Sequence, residues 1–244
     1  MRLLAIALGL SLLGGFGGLS VAATLLLFPP RTRMWLVPTL VSYAVGALLG
    51  VALLELLPEA LAVLDARSVF ATLLFGIVTF FVLEKLALWR HCHTHDCEIH
   101  RPATGPLVLL GDAAHNFMDG AVIGVAVLSS VPLAISTALA VLAHEIPHEL
   151  GDFAILLNAG FTTRRALLFN ATAEAAGLAG AALSFLALGA LPRVAPYFLA
   201  FAVASFLYVA MSDLIPDLHR EPADRTAVGQ VLLVGAGVAT VMFL

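Results

Sequence analysis

The segment His144-Glu145-Ile146-Pro147-His148-Glu149-Leu150-Gly151-Asp152 sets five ionisable side chains between two almost wholly apolar runs, Ser136 to Ala143 and Phe153 to Leu157. The same apolar character extends through the chain: of 244 residues, 61% are hydrophobic and 11% charged, with a mean hydropathy of +1.03. That composition describes a polytopic membrane protein and excludes a soluble domain. A charged group at mid-bilayer costs on the order of 2.5–3.5 kcal/mol on insertion scales, so a cluster of them marks a site. On a helix His144, His148 and Asp152 follow one another at i, i+4 and i+8, with Glu145 and Glu149 as an adjacent stripe. Imidazoles and carboxylates so spaced can share one divalent cation. Pro147 donates no backbone hydrogen bond, which frees the carbonyl of Ala143 and favours a kink.

Working outward, eight apolar stretches are long enough to span a bilayer: roughly 3–28, 35–57, 68–89, 107–129, 132–158, 164–190, 195–215 and 227–244. Pro29-Pro30, Pro58, the polar run 90–102, Ser130-Val131-Pro132, Gly160, Pro192 and Pro216 punctuate them. The expected architecture is an all-α integral membrane protein of eight transmembrane helices, with residues 1–244 forming a single transporter domain. The first run continues to Phe28 with no clean cleavage site, so it reads as a first transmembrane helix and not as a removed leader.

Basic residues set the orientation. Arg31, Arg33, Lys85, Arg90, Arg101, Arg164, Arg165, Arg220 and Arg225 fall on the side of the odd loops, against Arg2, Arg67 and Arg193 on the other. The positive-inside rule then puts the odd loops in the cytoplasm and both termini outside. An internal repeat is visible as well: Glu55-Leu56-Leu57-Pro58-Glu59 in span 2 matches Asp213-Leu214-Ile215-Pro216-Asp217 in span 7. Each is the second span of a triplet, and two spans intervene, so the triplets have opposite orientation. The layout is a 3+2+3 inverted repeat, as in secondary transporters.

Span 4 adds Asp112, His115, Asn116 and Asp119 at i, i+3, i+4 and i+7, on one helix face. The short turn at 130–132 makes spans 4 and 5 antiparallel neighbours. At ~1.5 Å of rise per residue, both polar clusters then fall near mid-membrane. Together they hold His115, Asn116, Asp119, His144, Glu145, His148 and Glu149, more ligand-type groups than helix packing needs. Asp119 is placed to serve two adjacent metal positions. One would use His115, Asp119, His144 and His148; the other Asn116, Asp119 and Glu145, with Glu174, a lone acid in the Ala/Gly-rich span 6. The loop His91–His100 carries four His and two Cys, a composition suited to weak binding of soft or borderline cations. The glycines of Gly14-Gly15-Phe16-Gly17-Gly18 are explained by close helix packing.

His144-Glu145-x-x-His148 is also the signature of zinc hydrolases, in which the Glu is general base. An intramembrane metalloprotease is therefore the alternative reading, with Met118-Asp119-Gly120 as a further echo of such enzymes. Against it, the Asp-Gly element precedes the His pair, Pro147 interrupts the turn, and the surplus ligands crowd a site that must admit water. No enzymatic activity is expected.

His115-Asn116-Phe117-Met118-Asp119-Gly120 and His144 to Asp152, continued by Phe153-Ala154-Ile155-Leu156, resemble the paired signatures of the ZIP (Zrt/Irt-like) family of divalent metal-ion transporters. The second motif is similar to the subfamily typified by zinc transporters of eukaryotic secretory organelles, which also has bacterial members. The resemblance covers the whole chain. It implies a binuclear centre in spans 4 and 5 and movement of divalent cations, zinc above all and also cadmium, iron or manganese, toward the cytoplasm. It implies the same two ligand sets, with Glu174 matching an acidic position of some members. In span 2, Val51 and Glu55 stand where that subfamily often has Asp and His, so the entrance ligands differ. The expected partners are the metal ion as substrate, the lipid bilayer and a second copy in a homodimer, with no nucleic acid. The Arg-rich, Lys-poor composition suggests a bacterial inner membrane.

Overall fold

The computed structural model describes the backbone of residues 1–91, 101–219 and 223–244 and, within these, the side chains outside 86–108, 158 and 220–226. The His/Cys-rich loop, residues 92–100, lies outside the described residues. Among the described residues the chain forms eight helical rods and no strand. These are α1 (Arg2–Leu25), α2 (Pro30–Val63), α3 (Ala66–His91), α4 (Arg101–Ser129), α5 (Val131–Asn158), α6 (Thr163–Ala190), α7 (Ala195–His219) and α8 (Ala223–Met242).

Five described stretches are long and apolar enough to cross a membrane: all of α1, α2, α6 and α7, and Ala66–Lys85 of α3. In α8 the apolar part, Ala227–Met242, is shorter. The remaining rods, α4 and α5, are 29 and 28 residues long, and they are the two that carry the ionisable clusters. At ~1.5 Å per residue either can span a hydrocarbon core of about 30 Å. The protein is thus an all-α, multi-pass membrane protein.

Local chemistry fixes the rod ends. Ser130 accepts from the Leu133 N–H at 3.2 Å to begin α5, and Thr162 accepts from the Arg165 N–H at 3.4 Å to begin α6. Asp65 starts α3 by accepting from the Ser68 N–H at 3.0 Å and the Ser68 hydroxyl at 2.6 Å. These two bonds hold its carboxyl below the usual carboxylate range. Between α5 and α6 the chain turns at Gly160, whose φ of +91° is open only to glycine without strain.

α2 and α7 share an interruption. In each, a π-helical segment separates two α-helical parts: Val51–Leu56 in α2 and Val209–Leu214 in α7. The Leu57 N–H bonds the Ala52 carbonyl, and the Ile215 N–H bonds the Ala210 carbonyl, each one residue longer than an α bond. Pro58 and Pro216 follow directly, and a widened turn relieves the crowding of a proline ring against the carbonyl four residues earlier. The widened turns coincide with the matched motif, Glu55 aligning with Asp213 and Glu59 with Asp217.

Packing respects the same repeat. α1 lies on α5 as α6 lies on α4, and α2 lies on α8 as α7 lies on α3. Exchanging α1 with α6, α2 with α7, α3 with α8 and α4 with α5 maps one set of pairs onto the other, as an inverted 3+2+3 repeat requires. Two groups result: α1, α4, α5 and α6, and α2, α3, α7 and α8, meeting mainly where α2 packs on α5. The α4–α6 contact is the closest. A Cβ at Gly120 would collide with the Gly177 backbone, and one at Gly180 with the Phe117 carbonyl. Small residues bring these backbones together because lipid offers no hydrophobic drive for helix association. On the other side, the Tyr43 hydroxyl bonds the Thr240 hydroxyl at 3.0 Å between α2 and α8, and the Tyr208 hydroxyl bonds Glu84 between α7 and α3.

Candidate metal centre

The close approach of α4 to α6, and of α5 to α1, leaves the polar stripes of α4 and α5 facing one another inside the first helix group. His144 and Glu145 are fully buried, and Asn116, Asp119, Glu149 and Glu174 nearly so. Four side chains converge on one point. His144 Nε2 lies 2.8 Å from Asp119 Oδ2 and 3.4 Å from Glu145 Oε1. His115 Nε2 lies 3.2 Å from His144 Nε2, 3.3 Å from Glu145 Oε1 and 3.6 Å from Asp119 Oδ2. One potential ligand atom from each of His115, Asp119, His144 and Glu145 falls within 4.8 Å of all the others.

The hydrogen bonding of His144 gives this cluster its chemistry. Its Nδ1 lies 2.9 Å from the Ala140 carbonyl oxygen. A carbonyl only accepts, so Nδ1 carries the proton in the neutral ring and Nε2 presents a lone pair to Asp119 and Glu145. A second-shell bond of this kind commonly orients a metal-binding imidazole. Both oxygens of Asp119 and both of Glu145 lack a hydrogen-bond donor. With Nε2 of His144 as acceptor, His115 Nε2 is its donor at 3.2 Å, but the four carboxylate oxygens crowded beside it in a buried space have none, which is strongly unfavourable alone and well suited to a cation.

A second group adjoins the first. Asp112, Glu145 and Glu149 also bring potential ligand atoms within 4.8 Å of one another, so Glu145 belongs to both groups. Asp112 accepts from the Asn116 amide at 2.8 Å and Glu149 from the Asn170 amide at 2.6 Å, each keeping one oxygen unpartnered. Asn116 and Glu174 are nearby: with Asp119 they line a small chamber. His148 stands outside both groups. Its ring stacks on that of His115, centroids 4.9 Å apart, and it lines a cavity of about 780 Å³ on the far side.

All eight residues singled out in the sequence therefore lie in one connected region, although their grouping differs from the motif-based one. The carboxylate common to both groups is Glu145, where the sequence reading has Asp119 shared. Asp112, which lies on the His115 stripe, and Asn170, one turn before Glu174, take part without belonging to the sequence-derived ligand set. Helical spacing carried a signal for both.

The large cavity is bordered by Arg33, His148, Asp152, Asp213 and Asp217 among apolar side chains of α1, α2, α5 and α7. In the opposite direction along α4 and α5, Val122, Ile123, Ala126, Ala138 and Val141 are all buried and apolar. The polar centre is thus sealed toward one face and borders a cavity toward the other.

Comparison with known proteins agrees with this architecture. A family model described as ZIP zinc transporter matches residues 90–244, more than half of the chain. Zinc transporter ZIP13 of Pongo abelii is 33% identical over 223 residues, covering 85% of this chain and 66% of that protein. Zinc transporter ZIP4 of Homo sapiens is 46% identical over 110 residues, 45% of this chain and 17% of that protein. Zinc transporter ZIP5 of Mus musculus is 43% identical over 148 residues, 60% of this chain and 27% of that protein. The chain belongs to the ZIP zinc transporter family, a family of transporters and not of enzymes. It spans less than two thirds of the length of each of these relatives.

The geometry ranks the two histidines of α5. His144→Ala removes a member of the converged group and is expected to weaken zinc binding at least about a hundredfold, since loss of an outer-shell partner alone costs 10–100-fold. His148→Ala, outside that group, should cost less than about tenfold. Titration calorimetry on the purified protein in detergent checks the order, and equal losses would make His148 an equal ligand.

Proposed function

We propose that the protein carries divalent metal ions, zinc foremost, across the membrane toward the cytoplasm. The observation that carries this reading is the converged group of His115, Asp119, His144 and Glu145, the last three buried, its carboxylates without donors, next to His148 and the cavity that His148 lines. Nitrogen and oxygen ligands in a four-membered set suit Zn²⁺, and the names of the relatives point the same way. Cadmium, iron and manganese are served by the same ligand types, so the order among them follows from geometry and availability. The second group, Asp112, Glu145 and Glu149 with Asn116 and Glu174 beside it, supports a binuclear centre bridged by a carboxylate.

Transport needs a site that binds and then releases. Here the cation meets ligands in steps. From the converged group it passes to His148, which faces both His115 and the cavity. Beyond lie Asp152 and then Asp213 and Asp217, each replacing part of the water shell with a single carboxylate. Each exchange is between similar ligands, so no single step has to lose all coordination in the low-dielectric interior. The basic-residue asymmetry supports a cytoplasmic position for this cavity, because Arg31 and Arg33 begin α2 at that end.

Two experiments test the reading. In proteoliposomes, the intact chain should show saturable zinc uptake that His115→Ala combined with His144→Ala abolishes; tight binding without flux would contradict transport. Orientation is read from Cys92 and Cys97, the sole cysteines of the sequence. A membrane-impermeant maleimide should label inside-out vesicles and leave sealed right-side-out vesicles unlabelled, and the converse pattern would reverse the direction assigned here.

A further inference from the structure

Beyond Arg2, α1 brings no ionisable side chain, and its glycines read from the sequence as packing residues. In the structure two of them abut the metal centre directly. A Cβ on Gly15 would collide with Glu174 Oε2, and one on Gly18 would press on the Cβ of Glu145. Glu174 is 2% exposed, and its other oxygen, Oε1, has no hydrogen-bond partner. Between α1, α4, α5 and α6 lies a small chamber of about 10 Å³, bordered among others by Ser11, Gly15, Asn116, Asp119, Gly120 and Glu174. Its size is that of one water-sized occupant. Three of its borders belong to the carboxylate and amide set of the centre, and Ser11 adds a hydroxyl from a helix that the family motifs do not include.

We propose that α1 is a wall of the metal centre: Gly15 makes the space in which the Glu174 carboxylate sits, and Ser11 supplies an oxygen to the same chamber. The inference rests on the cation-transport reading above and adds α1 to it. Steric exclusion is the mechanism. With any side chain at position 15 the Glu174 carboxylate has to leave its place, and the chamber loses the single acid that α6 provides. Gly15 is thus a positioning residue, acting through Glu174. Ser11 faces the chamber itself and would touch an ion in it. A glycine-rich segment thus stands opposite an acidic part of the interior, where larger side chains would displace the carboxylates.

The test uses the full chain, purified in detergent and titrated with zinc, and compares Gly15→Ala, Glu174→Asp and the double variant. Gly15→Ala is expected to weaken zinc binding about tenfold while the melting profile is retained. Aspartate is one methylene shorter and withdraws from position 15. Glu174→Asp should therefore weaken binding in the parent background and partly restore it when combined with Gly15→Ala. Unchanged binding in Gly15→Ala, or strictly additive losses in the double variant, would overturn the proposal. If Gly15→Ala does not accumulate, Ser11→Cys reads the same wall: a thiol facing the chamber should raise cadmium affinity relative to zinc about tenfold. An unchanged ratio then overturns it. A parent chain that binds no zinc overturns the transport reading, and this inference with it.

Discussion

Carboxylates without donors in a bilayer interior have to be neutralised, by a proton or by a positive charge among them. Asp119 and Glu145 have no hydrogen-bond donor at any oxygen, and His144, fixed by the Ala140 carbonyl, turns a lone pair toward them. Each of these groups is unfavourable by itself, and several together are far worse, because the low-dielectric surroundings magnify their repulsion. One divalent cation attracts every one of these groups and so outweighs their mutual repulsion. The rest of the architecture can be understood from that condition. The centre has to be enclosed, which α1 and α6 do by closing on α4 and α5 through glycines. It also has to be reachable, which the cavity beside His148 provides.

The inverted repeat supplies the second requirement without a separate gate domain. α2 and α7 carry matched π-helical turns ahead of Pro58 and Pro216, each presenting an acid, Glu55 or Asp213. Here Asp213 borders the cavity, whereas Glu55, its counterpart, does not. Two halves with the same sequence pattern therefore stand in different surroundings. That asymmetry is what one state of an alternating-access protein built from inverted repeats should display.

Much of this was legible in the residues. Eight apolar runs and their punctuation gave the helices. The i, i+3, i+4 and i+7 spacing of Asp112, His115, Asn116 and Asp119 placed one ligand stripe, and His144 to Asp152 placed the other. The match between Glu55–Glu59 and Asp213–Asp217 signalled the repeat. What stayed hidden depends on contacts between helices. Which apolar faces pair is not written in hydropathy, because in lipid the partners and the solvent are equally apolar. That Glu145 belongs to both groups of potential ligand atoms depends on how α4 and α5 face one another. The part played by Gly15 could not be read either: absent side chains give no pattern, and their meaning depends on Glu174 lying opposite. The π-helical turns were half visible, as prolines whose hydrogen-bond register only the backbone discloses.

Anomalous diffraction at the zinc edge from the zinc-loaded protein tests whether the cation rests in the cluster shared by α4 and α5. The strongest peak is expected among His115, Asp119, His144 and Glu145, with nitrogen and oxygen ligands at about 2.0–2.2 Å. A strongest peak elsewhere, above all one with sulfur ligands at about 2.3 Å near Cys92 and Cys97, would contradict it.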